Sequence, residues 1–194
     1  MRYLKIIISL LLAIFIFSGF WSGKSDRELK SDNFIKRQSR LKTNYETLQL
    51  LYKYDSQAKR MLLRSYGYAT FTNIGVNVVL FSAEMGKGLA HNNRNGQNTY
   101  MNMGSAGLGF GIGAKDFRAI FLFRDKRTFD RFVKYGWEAN AQADIALKYD
   151  NKGEALNGAI TVDPGIRLYK LTQNGLMAQV GIQGTKYWKD KDLN

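Results

Sequence analysis

The spacing of apolar residues along the chain changes once, near Gly67. Before it, Leu41, Tyr45, Leu48, Leu51, Tyr52, Ala58 and Leu62 recur at helical intervals, while Lys42, Glu46, Gln49, Lys53, Arg60 and Arg64 fall largely elsewhere. That pattern predicts one amphipathic helix from Leu41 to Leu63, with Gly67 placed to end it as a C-cap residue. Beyond Gly67 the period moves toward two, and aromatic and β-branched residues predict strands at Tyr68–Phe71 and Val76–Phe81. Asn95-Gly96 marks a turn between Leu89-Ala90-His91 and an extended run from Thr99 to Met103.

From Gly104 to Ala114, Leu108, Phe110 and Ile112 project to one face of a strand, whereas Gly107, Gly109, Gly111 and Gly113 leave the other nearly bare. Such a face admits a close neighbour, either a packed element or a ligand, and permits the bending of a small closed barrel. Phe117 to Phe123 continues as a strand, and Asp125 is placed to cap a short helix carrying Phe129, Phe132 and Val133 and ending near Gly136. Trp137 then serves as a core or edge plug or as a headgroup-level anchor. The small-residue stretch Ala141 to Leu147 specifies neither strand nor helix. Asp163-Pro164-Gly165 separates Ala159–Val162 from Ile166–Leu171, and Gln173-Asn174-Gly175 separates the latter from Leu176–Ile182, which predicts hairpins. The fold expected is α+β: an antiparallel, glycine-rich sheet curled toward a small barrel, covered by an N-terminal amphipathic helix and a second short helix.

The N-terminus adds a compartment. Arg2 and Lys5 precede an apolar run from Ile6 to Phe17, then Ser18-Gly19 and Ser22-Gly23, in the order of a secretory signal peptide. Residues 1–22 are accordingly expected to be a signal peptide or a membrane anchor, with cleavage left open, and residues 23–40 a basic polar leader, either a tether or a loosely held helix. Residues 41–187 form the expected domain and residues 188–194 a polar tail. Localisation follows as periplasmic or envelope-associated.

Charge and chemistry narrow the function. Lys plus Arg number 29 against 16 Asp plus Glu, a net +13, so anionic surfaces are attracted, and for an exported domain those are lipid headgroups. The chain has no cysteine and one histidine, His91, at the edge of an Asn-rich turn, which removes thiolate chemistry and any His cluster. No spacing marks a nucleophile elbow, a zinc-protease helix or a phosphate loop, and the glycines run through a strand rather than into a helix. No catalytic residue, metal site or cofactor is expected, and no specific nucleic-acid binding. The candidate headgroup-binding residues are Lys36, Arg37, Arg40, Lys53, Arg60 and Arg64, weighed against an ordinary solvated face.

Several blocks in order resemble the SYLF lipid-binding domain. They are Ala58-Lys59-Arg60 through Tyr68-Ala69-Thr70-Phe71, Gly86-Lys87-Gly88-Leu89, the alternating Gly104–Gly113 run, Phe117–Phe123 with Asp125-Lys126, and the stretch from Gly175-Leu176 to Gly184-Thr185. The resemblance covers residues 41–187, is similar to stand-alone exported bacterial members, and implies a mixed helix and sheet domain that associates with phospholipid. Lys87 falls in what looks like the family's glycine-flanked turn, while Tyr66-Gly67-Tyr68, Thr72-Asn73-Ile74-Gly75 and the amide-rich Asn92–Asn98 loop depart from its pattern. The function expected is non-catalytic binding of phospholipid or an anionic membrane surface. The alternatives are an envelope module that binds a protein partner or, more weakly, an enzyme of unknown class.

Overall fold

The computed structural model describes residues 24–78, 81–107, 117–139, 159–172, 175–176 and 184–194. The export segment, the glycine alternation from Leu108 onward, the Ala141–Leu147 stretch and the strand expected beyond Leu176 lie outside those residues. The chain divides into two compact units, residues 1–35 and residues 36–194. In the first, the Ser25 backbone N–H donates to Glu28 Oε2 at 2.9 Å and the Glu28 N–H donates to Ser25 Oγ at 3.4 Å, a reciprocal capping box. It starts helix α1, Asp26–Tyr54, well before the Leu41 expected from apolar spacing. The basic leader is therefore helical rather than a tether.

Within the second unit, the α1 residues Arg40, Thr47, Leu48 and Leu51 are buried, a single stripe at helical spacing. Tyr45, expected on that stripe, is exposed, and the polar Arg40 occupies its N-terminal part. Apolar periodicity alone misses a face half made of hydrogen-bonding groups. The helix also ends earlier than expected. Asp55 Oδ1 accepts the N–H groups of Gln57 at 2.8 Å and Ala58 at 3.2 Å, so its carboxylate competes with helix continuation and starts a second helix, α2, Ala58–Arg64.

Gly67 is not the cap of that helix; Ser65 is, and Gly67 is the first residue of strand β1, Gly67–Val78. A Cβ at Gly67 would lie 2.6 Å from the His91 carbonyl oxygen and 2.7 Å from the Phe129 ring, so the glycine serves close approach. The strands that follow are β2, Phe81–Asn92; β3, Asn98–Gly107; and β4, Arg118–Phe123. After helix α3, Lys126–Tyr135, come β5, Trp137–Glu138; β6, Ile160–Asp163; β7, Ile166–Thr172; β8, Gly175–Leu176; and β9, Thr185–Lys189. Asp125 caps α3 as expected, its Oδ1 accepting the Thr128 N–H at 2.9 Å, and Gly136 ends it at φ 79°. The Gly86-Lys87-Gly88 block is continuous strand within β2, not a turn, with Gly88 opposite Phe71 on one side and Met101 on the other.

The described strands form one antiparallel sheet in the order β5-β9-β3-β2-β1-β4-β7-β6, with β8 on β7. It is curled into a half-barrel, which makes the fold the α+β class expected. Alternation divides its side chains between two cores. Phe71, Phe121, Phe123, Leu168 and Tyr187 pack with Phe129 and Phe132 of α3. Tyr68, Ile120, Leu122, Tyr169 and Leu171 pack instead with Leu48 and Leu51 of α1 and Ala58 and Leu62 of α2. This second face positions the candidate site.

Candidate functional site

Helix α2 is short, yet three groups fix it. Ala58 and Leu62 are buried in the core beneath it, Asp55 holds its start, and the Asn93 amide donates to Leu62 O at 2.8 Å and Ser65 O at 3.2 Å at its end. The amide-rich turn between β2 and β3 thus supplies acceptor satisfaction for a helix C-terminus. Asp55 is itself anchored, because the buried Tyr169 hydroxyl donates to its Oδ2 at 3.0 Å. Burial, and then the Asp55 carboxylate, push the Tyr169 hydroxyl well above its ordinary value, so it stays protonated and remains a donor.

With Ala58 and Leu62 inward, helical geometry turns Lys59, Arg60, Leu63 and Arg64 outward, and all four are exposed. Leu63 is 62% exposed among these cations, a large apolar side chain open to solvent. Lys59, Arg60, Leu63 and Arg64 also border a shallow depression of 600 Å³ on this side.

Beside α2 runs a second concavity of 490 Å³, between the helix and the ends of β4 and β7. Alternation explains its lining. Leu122 and Tyr169 face α1 and α2; Arg167, two residues before Tyr169 on β7, stands on the same face, and Arg124 directly follows the last residue of β4. The antiparallel register sets Leu122 opposite Arg167, and the Arg124 N–H donates to Gly165 O at 2.9 Å, which holds the strand end against the β6–β7 turn. Arg64, Arg124 and Arg167 border an apolar floor that includes Met61, Leu122 and Ile166, and among the described residues no carboxylate lines it. The nearby Asp125 carboxylate pairs with Arg124 at 3.4 Å while it caps α3.

The six residues expected to meet headgroups do not form one patch. Arg60 and Arg64 lie exposed on α2, and Lys53 is exposed near the end of α1, 5.6 Å from the Tyr54 ring centroid. Lys36 is exposed 17 residues earlier on the same helix, about 25 Å along its axis at 1.5 Å per residue. Arg37 is half-buried: its Nε donates to Leu193 O at 2.9 Å and its guanidinium lies 5.9 Å from the Tyr100 ring centroid.

Arg40 is removed from any headgroup surface. It is only 8% exposed, and its guanidinium donates to Met101 O at 2.6 Å, Gly88 O at 3.3 Å, Asn102 Oδ1 at 3.1 Å and Asp190 Oδ2 at 2.5 Å. Asp190 in turn accepts the N–H groups of Asp192 at 3.0 Å and Leu193 at 3.3 Å. Burial raises the pKa of this carboxyl, but the Asp192 N–H, the Arg40 charge and hydrogen bond, and the Leu193 N–H outweigh it and hold the group below its ordinary value. Arg40 is an internal clamp that ties α1, β2, β3 and the C-terminal segment together.

Sequence reasoning missed Lys59, Arg124 and Arg167. Lys59 carried a signal, since it stands one turn from Leu63 on the outward side of a helix; the two arginines carried none, because only strand register brings residues 43 apart onto one cleft. His91 lies on β2, with Nδ1 2.7 Å from Asn98 Oδ1 and its ring 5.1 Å from Tyr68, as a structural residue of the sheet. Trp137 packs against Phe121 and Tyr187 and its indole N–H donates to Asp163 Oδ2 at 3.3 Å, the edge-plug role. Among the described residues no group of three or more His or acidic side chains converges to hold a metal, and no helix is long and apolar enough to cross a membrane.

No family model matches the chain. It is similar to "Beta cell expansion factor A" of Aeromonas veronii, 33% identical over 178 residues that cover 89% of this chain. The chain spans 66% of that relative's length.

Proposed function

We propose that the chain is a SYLF-type, non-catalytic module of the cell envelope that associates reversibly with anionic phospholipid through the outward face of α2. The observation that carries this reading is Leu63, an exposed apolar side chain set among Lys59, Arg60 and Arg64 on a rigidly held helix. Each cation near an anionic surface contributes about 1 kcal/mol, and burial of one leucine adds up to about 1.5–3 kcal/mol that salt does not screen. Arg124 and Arg167 extend the positive field on the same side of the sheet. The Arg2 and Lys5 export pattern supports this reading, because an exported domain would meet anionic headgroups.

The test is cosedimentation of the full chain with vesicles of phosphatidylcholine alone and with about one third phosphatidylglycerol, at low and high salt. The apolar N-terminal run gives a background common to all variants. The K59Q/R60Q/R64Q variant is expected to lose most of the increment caused by phosphatidylglycerol. An increment unchanged by that substitution refutes the assignment to α2, and the absence of any increment refutes lipid charge as the attractant.

A further inference from the structure

Away from α2, the Arg40 clamp borders a polar cavity of 190 Å³ that the lipid reading does not use. Three elements of the second unit wall it: α1 with Arg40, Thr43 and Asn44, β1 with Thr70 and Thr72, and β2 with Lys87. Thr70 faces α1, since its hydroxyl donates to Asn44 Oδ1 at 2.8 Å and so ties the helix to the strand. Thr72, two residues along β1, and Lys87, its partner in register on β2, therefore leave the sheet on that same face.

The groups left over in this cavity are donors. Arg40 has five N–H groups and gives four of them to Gly88 O, Met101 O, Asn102 Oδ1 and Asp190 Oδ2, whereas its Nε–H is buried without a partner. Among the described residues, the Lys87 ammonium and the Thr43 and Thr72 hydroxyls also have no hydrogen-bond or ion-pair partner. A guanidinium and an ammonium cannot accept, so whatever fills the cavity has to bring acceptors. The Asp190 carboxylate already offsets the charge of Arg40, which leaves Lys87 as the single uncompensated charge among the described lining residues.

We propose that this cavity binds one short-chain monocarboxylate, its oxygens held by Lys87, Thr43, Thr72 and the Arg40 Nε–H. The two oxygens of a carboxylate offer about four lone-pair sites, as many as the donors without partners, and its single negative charge matches the one charge left on Lys87. A phosphomonoester carries about −1.5 to −2 charges at neutral pH, more than that one cation offsets. Size points the same way, because 190 Å³ is below the about 300–1,000 Å³ of drug-sized sites and a long hydrocarbon would bury the hydroxyl walls unsatisfied. Association of α2 with a membrane surface does not require this site.

The experiment is a titration of the full chain, followed by proton–nitrogen correlation spectra at constant ionic strength, with acetate, butyrate, octanoate and inorganic phosphate. Expected is a saturable shift of the Arg40 Nε–H resonance and of the Thr72 and Lys87 amides, with acetate or butyrate bound at least about tenfold tighter than octanoate or phosphate. K87Q should weaken that binding by at least about tenfold, and T43V/T72V, which keeps the side-chain shape without the hydroxyls, should weaken it as well. Both variants should keep the wild-type melting temperature, because the side chains they alter have no partner to lose, and both should keep the phosphatidylglycerol-dependent sedimentation. Phosphate bound as tightly as acetate overturns the carboxylate assignment, and octanoate bound as tightly overturns the limit on chain length. Undiminished binding by folded K87Q overturns the site. The absence of a saturable shift with any of the carboxylates overturns the proposal outright and leaves the cavity to water.

Discussion

Arg40→Gln separates a structural cation from the surface cations that its residue type resembles. Arg40 and Asp190 have side chains 8% and 10% exposed and pair at 2.5 Å, so removing the guanidinium leaves a carboxylate enclosed without its counter-charge. Breaking such a pair from one side costs about 3–5 kcal/mol. Asp190 keeps the two N–H donors of Asp192 and Leu193, which places the expected loss near the lower bound, about 3 kcal/mol. For a domain of this size each kcal/mol moves the melting temperature by about 2–4 °C, so R40Q should melt roughly 6–12 °C below wild type. Neutralising both partners removes the stranded charge, and R40Q/D190N should therefore be less destabilised than the sum of the single variants. Melting followed by circular dichroism gives the stability arm, and vesicle cosedimentation at a temperature where R40Q is fully folded gives the functional arm. R60Q should show the opposite pattern, with weakened sedimentation and melting within about 1–2 °C of wild type. A melting temperature for R40Q equal to wild type, or selective loss of anionic-vesicle binding by folded R40Q, refutes the clamp.

The same carboxyl sets a pH response. Because the folded pKa of Asp190 lies below its ordinary value of 3.8, its contribution is complete above that value and is lost as pH falls through the folded pKa. The melting temperature should drop as pH falls below 3.8, and D190N should flatten that part of the profile; a parallel drop in D190N contradicts the linkage. Gly67→Ala forces a Cβ to 2.6 Å from His91 O and 2.7 Å from the Phe129 ring, so urea unfolding should show a loss of about 1–3 kcal/mol. Tyr169→Phe removes the donor to Asp55 at the junction of α1 and α2, and should cost about 1 kcal/mol and speed amide exchange in α2 before other helices. Unchanged exchange in α2 would show that the junction is held without it.

The elements most legible in the sequence were those whose signals are local. Asp125 and Gly136 bound α3, and Asn95-Gly96 and Asp163-Pro164-Gly165 form turns where their residue types demand them. Errors arose where a polar group does the work of an apolar one. The start of α1 lies in the Ser25–Glu28 capping box, its buried stripe includes Arg40, and its end is an Asp55 side chain that competes with the helix. Gly67 and Gly88 owe their identity to neighbours distant in sequence, Phe129 and Thr70, which no local pattern reveals. The candidate site divides in the same way. Arg60 and Arg64 were readable as an exposed helical face, whereas Arg124 and Arg167 join them only through the pairing of β4 with β7. Charge alone did not distinguish Arg40 from Arg60, because a cation with five donors is equally suited to carbonyl oxygens inside and phosphates outside.

The central claim is that α2 meets the lipid, and the chain permits a direct reading because it contains no cysteine. An environment-sensitive nitrobenzoxadiazole label attached through L63C on α2, or through Y135C on α3 at the other face of the sheet, reports the polarity at each position. With vesicles containing phosphatidylglycerol, the label at position 63 should shift to shorter wavelength and brighten, with the change reversed by salt, while the label at position 135 stays at its aqueous emission. Equal responses at both positions, or an aqueous spectrum at position 63 in a chain that has sedimented with the vesicles, would contradict the account.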